Sequence, residues 1–113
     1  MLNDDPLLLN ATALVEALSW ALPQLQLADP PLARLVRAAG LAVSHSLAAS
    51  RLAPRGHAVR HHRRARAQAE ALIAHLALAD ARGHRIMADQ RRLAITHARR
   101  IIARLDAAPW DIR

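Results

Sequence analysis

The 113-residue chain contains no cysteine, phenylalanine, tyrosine or lysine, and it holds only three glycines. Without cysteine there is no disulfide framework, thiolate nucleophile or thiolate metal ligand, and the redox compartment is not indicated. Three scattered glycines exclude a glycine-rich phosphate loop, and no G-x-S-x-G nucleophile elbow is present. No uninterrupted run of 18 apolar residues occurs, so no transmembrane helix is expected. The opening MLNDDPLLLN places acids where a secretory signal carries basic residues, so a cytoplasmic protein is expected rather than an exported one.

What fills the chain instead is alanine and leucine, 27 and 19 copies. Both lose little on entering a helix, while β-branched residues are few, so the expected fold is all-α. The length suits one domain over residues 1–113 with a buried core, ending in a short tail at 107–113. All 16 basic residues are arginine, and the formal charge is +7. The charge is uneven: residues 1–30 carry four acids and no arginine, and residues 31–113 carry 16 arginines against five acids. A GC-rich coding preference accounts for arginine in place of lysine but not for this asymmetry. A lopsided basic surface points to an acidic partner, nucleic acid first.

Helix signals divide the chain into four. Asp5-Pro6 reads as an N-cap with proline at the first helical position, followed by Leu7, Leu14, Val15, Leu18 and Leu22 at helical spacing with Glu16 outside. Pro23 is expected to kink or end this helix, leaving residues 24–29 as a frayed turn and connector. Asp29-Pro30-Pro31 starts a second helix, with Leu35, Val36, Ala39, Val43 and Leu47 on the main stripe. Leu41, Ala48 and Leu52 form a second stripe on its far side, and Gly40, mid-helix, offers a close approach to a neighbour. The helix should stop before Pro54. A third is expected over 58–82 with Gly83 as its C′ residue, and a core face of Ala65, Ala69, Leu72, Ile73 and Leu76.

A fourth helix is expected over 87–105, with Met87, Ala94, Ile95, Ala98, Ile101, Ile102 and Leu105 inward. Arg91 falls near that apolar face, from which its head should snorkel to the bundle end. Four helices with short connections pack most simply as an up-down-up-down antiparallel bundle. One core cannot use both sides of the second helix, so the leftover apolar surface there and on the alanine-smooth side of the third predicts self-association.

Residues 51–66, RLAPRGHAVRHHRRAR, hold six arginines, three histidines and no acid across the turn signal of Pro54 and Gly56. They predict a cationic rim made by Arg51, Arg55, Arg60, Arg63 and Arg64, joined by Arg92, Arg99 and Arg100 from the fourth helix. Guanidinium groups bind phosphate bidentately and stay charged at any working pH, so these eight are the expected nucleic-acid contacts. His57 and His61 have a metal-compatible spacing, but arginines surround them and no carboxylate completes a site, so a solvated basic face is the better reading. Below about pH 6.5 they would add to the positive charge.

Enzyme chemistry finds little support. A di-iron bundle needs four glutamates and two Glu-x-x-His pairs, and this chain has only Glu16 and Glu70. Histidines 45, 75 and 97 fall off the main stripes, which disfavours haem ligation, and Ser44 and Ser46 beside His45 are helix neighbours rather than a triad. No metal or cofactor is expected. Trp20 and Trp110 could stack on bases, but each stands alone. Trp20 reads as core or interface, and Trp110 as a clasp over the bundle end.

Two segments resemble a known group. Residues 36–48, VRAAGLAVSHSLA, are similar to the "LRRAALSVPSNIAEG" helix of the four-helix-bundle family of intervening-sequence ribosomal proteins and the accessory variability determinants of diversity-generating retroelements. Residues 76–84, LALADARGH, are similar to that family's "LLLAxxLGY" helix ending. Where the family has Asn, Glu and Gly, this chain has Ser46, Ala49 and Ser50, which points away from the ribosomal branch. The resemblance implies a homopentameric ring of basic protomers that binds RNA or DNA and accompanies a reverse transcriptase. From the residues alone, a bundle that binds an acidic protein partner stays open, as does one that meets an anionic membrane surface.

Overall fold

The computed structural model describes residues 6–84 and 88–107, and among them it contains four α-helices and no strand. Helix α1 spans Pro6–Ala28, α2 Pro30–Leu52, α3 Arg55–Ala81 and α4 Ala88–Ala107. They form a four-helix bundle 44 × 23 × 20 Å in extent, as long as a 27-residue helix at about 1.5 Å per residue requires. Each helix packs on its neighbours in sequence, and α1 closes on α4.

The core follows alternating steps of three and four in every helix. Ala11, Leu14, Leu18, Ala21 and Leu25 are buried from α1, and Leu32, Val36, Ala39, Val43 and Ser46 from α2. His62, Ala65, Ala69, Leu72, Leu76 and Ala79 are buried from α3, and Arg91, Ala94, Ala98, Ile101 and Leu105 from α4. This 3.5-residue period keeps one seam of each helix facing the bundle axis. The ion pairs Arg66–Asp106 and Asp80–Arg91 set the register of α3 against α4. That register puts Ala65 and Ala69 at about the level of Leu105 and Ile101, and Leu72 and Leu76 at about that of Ala98 and Ala94. Small thus faces large along the seam, so that the two helices interdigitate.

Helix boundaries bear out some expectations and correct others. Asp29 caps α2, its Oδ1 accepting from Leu32 N at 3.3 Å, with Pro30 and Pro31 in the first turn. Gly83, at φ +82°, closes α3: Gly83 N donates to Asp80 O and His84 N to Ala79 O, the paired bonds of a Schellman end. Helix α3 begins at Arg55 rather than 58, because Pro54 takes the N-cap position (φ −55°, ψ 151°) and its carbonyl accepts from His57 N at 2.8 Å.

Pro23 does not end α1. The helix runs on to Ala28, so residues 24–28 are helical and not a connector. Pro23 is exposed, so water can take the carbonyl its missing N–H leaves free, and buried Leu25 anchors the turn beyond it.

Burial corrects several stripe assignments. Leu35 and Val15 are exposed, and Leu32, Ala33 and Leu14 carry the seams there. In helices apolar on more than one side, spacing alone does not choose the buried stripe. Helix α1 is in fact long and apolar enough, by length and composition, to cross a bilayer, although here one seam of it lies in the bundle core. Leu41, Ala48 and Leu52 lie at the surface as expected. A Cβ on Gly40 would come within 2.5 Å of the Leu18 Cδ1, so the close approach expected at this glycine is real. Met87 and Trp110 lie outside the described residues.

Candidate nucleic-acid interface

The central basic stretch folds as the last turn of α2, the Pro54 corner and the first three turns of α3. Arg51, Arg60, Arg63 and Arg64 are exposed there, and Arg55 opens α3, its side chain lying outside the described residues. The α3 N-terminus has no side-chain cap and no acid in its first turn. Its free N–H groups carry the positive end of the helix dipole and add to the arginines' field. His57 is exposed, His61 half-buried, and His62 takes a core position. The 3-4 spacing from His62 through Ala65 and Ala69 is the signal that could have placed it inside.

Arginines divide by whether a carboxylate holds them. Arg66 bonds Asp106 twice, Nε to Oδ1 at 2.5 Å and Nη2 to Oδ2 at 2.9 Å, and also bonds Glu70. The bidentate contact holds the Asp106 carboxyl below its ordinary pKa. Arg60, Arg64, Arg99, Arg100 and Arg104 are exposed and form no ion pair among the described residues.

At the opposite end the acids are engaged. Asp29 Oδ2 accepts from Arg82 Nη1 at 2.7 Å and lies 3.1 Å from His84 Nε2. The Arg82 bond, with help from His84 and Leu32 N, holds the Asp29 carboxyl below its ordinary pKa against the opposing effect of burial. The Arg91 head reaches the bundle end as expected, but it is buried there, with Nη2 on Asp80 Oδ1 at 2.9 Å and Nη1 on the His84 carbonyl. The α3 C-terminus therefore supplies a carboxylate and a carbonyl at the place where α4 brings in a cation.

The eight expected contacts are only partly brought together. Arg51, Arg60, Arg63 and Arg64 share one end of the bundle. Arg99 and Arg100 lie further along α4, and Arg104, one turn past Arg100, extends that row towards the basic end. Sequence reasoning passed over Arg104, although its i+4 spacing from Arg100 signals the shared face. Arg92 stands apart: it is paired with Asp89 at 2.6 Å and sits near the level of Asp80, roughly 20 Å along the bundle from Arg66. Trp20 is 61% exposed and so is not a core residue. Among the described residues no three His, Asp or Glu side chains gather closely enough to hold a metal ion. Compared with models of known families, with curated proteins and with solved structures, the chain matches none.

Proposed function

We propose that this chain is a non-enzymatic, basic nucleic-acid-binding accessory protein. The observation that carries the reading is the group of exposed arginines without carboxylate partners, Arg60 and Arg64 on α3 with Arg99, Arg100 and Arg104 on α4. An arginine already held by a carboxylate has little charge left for a phosphate; these have all of theirs. The uncapped start of α3 adds backbone donors of the same sign. In this reading the protein works in the cytoplasm, alone as a single domain or with a reverse transcriptase, as the resemblance to accessory variability determinants implies.

The bundle is read as up-down-up-down. Contacts of each helix with its sequence neighbours, the closure of α1 on α4 and the reversed order of the α3–α4 ion pairs support that topology. Self-assembly, as a ring of five by the resemblance, is supported by the surface leucines Leu41, Leu52 and Leu78. The same leucines on a surface that also carries exposed arginines favour the second reading, an interaction bundle that docks an acidic protein partner.

The deciding experiment is a salt series with RNA and DNA. Affinity should fall with a log–log slope of about −0.7 to −0.9 per phosphate neutralised. Replacing Arg60, Arg63 and Arg64 together by Gln should flatten the slope by about two units and leave helix content unchanged, since Gln is also a good helix former. An unchanged slope and affinity would hand the function to the interaction reading.

A further inference from the structure

Between α1 and α4 lies a cleft of about 270 Å³ lined by Ala13, Glu16, Ala17, Trp20, Gln90, Leu93 and His97. Its size is at the low end for ligand sites, suited to one small planar group. Trp20 and Leu93 are exposed at its walls, and two alanines make its floor. Glu16 sits one helical turn before Trp20. It is the one acid of the six among the described residues that holds no ion pair; Asp29, Glu70, Asp80, Asp89 and Asp106 are all engaged. In a chain of charge +7, an acid left free beside an exposed indole is a specific arrangement.

We propose that this cleft is a socket for a single nucleobase and that Glu16 makes it prefer guanine. The inference rests on the nucleic-acid reading for its biological use, and on the cleft alone for its chemistry. An indole wall takes the face of any unstacked base, and the polar groups then read its Watson–Crick edge. A carboxylate is acceptor-only. Guanine presents two adjacent donors, N1–H and N2–H, which one carboxylate can accept together. Adenine and cytosine set an acceptor beside their donor and would turn a lone pair towards Glu16. Gln90, at the same cleft, can donate to the guanine O6. Along α4 the spacing of Gln90, Leu93 and His97 continues to Arg100 and Arg104, so a nucleotide seated by its base has cations within reach of its phosphate. Those cations also argue against an organic ammonium as the occupant, although tryptophan and a carboxylate alone would suit one.

The test uses the full chain carrying Trp110→Phe, so that fluorescence reports Trp20 alone. GMP should quench Trp20 saturably, and AMP, CMP and UMP should bind at least about tenfold more weakly, the discrimination a bidentate pair supplies. Glu16→Gln should bring GMP to within about threefold of AMP. Trp20→Leu should abolish the calorimetric heat of GMP binding. Both substitutions are at exposed sites, and unchanged thermal melts confirm the fold. Equal binding of GMP and AMP, a guanine preference that survives Glu16→Gln, or full displacement of GMP by equimolar inorganic phosphate each overturns the socket. So does quenching by choline with GMP silent. The two readings part cleanly. Salt-sensitive RNA binding with no nucleotide response sinks the socket alone, and a nucleotide response without RNA or DNA binding sinks the nucleic-acid reading alone.

Discussion

At the end where α1 turns into α2 and α3 into α4, Arg82, Arg91 and Arg92 each hold a carboxylate; at the end where α2 turns into α3, Arg60 and Arg64 hold none. Both ends are rich in arginine, but at the first these three guanidiniums are fasteners, with Arg34 and Arg37 of α2 exposed and in no ion pair among the described residues. Arg82 ties the end of α3 to the cap of α2, a contact spanning 53 positions of sequence, and Arg91 ties α4 to α3. At the second end Arg66 fastens, to Asp106 and Glu70, while Arg60 and Arg64 form no ion pair among the described residues. Composition counts these arginines alike. Their roles differ because, among the described residues, Arg82, Arg91 and Arg92 meet a carboxylate and Arg60 and Arg64 do not.

The sharpest way to break this contrast is at Arg91. Arg91→Ala should cost about 2 kcal/mol of stability, because it removes the buried stem and leaves the His84 carbonyl short of a donor. Nucleic-acid affinity should not change. Chemical denaturation beside a binding titration reads both, and a loss of affinity with intact stability would mean that the fastened end binds too.

Next in size is an effect of pH. Asp29 has its folded pKa depressed below 3.8, so its contribution is present above the unfolded value and is lost as pH falls through the folded one. Asparagine at 29 keeps the cap but not the charge. Asp29→Asn should therefore melt lower than the parent at pH 7, and the gap should close as the pH is taken below about 3.8. A gap of the same size at both pH values would show that the ionised Asp29 carboxylate and its Arg82 pair are not the source of the difference. The smallest effect is expected at Arg92. Arg92→Gln removes an exposed pair, so stability should move by less than about 0.5 kcal/mol. RNA affinity should fall by less than twofold, whereas Arg64→Gln should lower it clearly. Equal losses at both positions would erase the distinction between engaged and free arginines.

Much of the fold was legible because its punctuation is local. Asp29-Pro30-Pro31, Pro54 and Gly83 mark boundaries with residues whose backbone chemistry allows few alternatives, and Gly40 announced its tight neighbour. Pro23 misled because a local rule was overridden by packing further along: Leu25 is buried, so the turn beyond the proline forms anyway. Val15 and Leu35 misled because α1 and α2 offer leucine and alanine on several sides, and only the third dimension chooses among them. Of the candidate surface, the run at 60–64 could be read from the sequence. Which arginines were free could not, since the Arg66–Asp106 and Arg82–Asp29 partners lie 40 and 53 positions apart. The Glu16–Trp20 cleft was hidden for the same reason, its other wall coming from α4.

The small-against-large seam between α3 and α4 also acts as a ruler. Slide α4 by one heptad and the 3-4 pattern still matches, so period alone would tolerate the shift. The sizes would not: slid one way, Ala65 would come level with Ala98 and leave a gap, and slid the other way, Leu72 would collide with Leu105. Both ion pairs would part in the same movement. The hairpin thus measures its own offset by volume and again by charge. A chain written largely in two residue types, alanine and leucine, has used their difference in size to rule out its nearest misfolded neighbour.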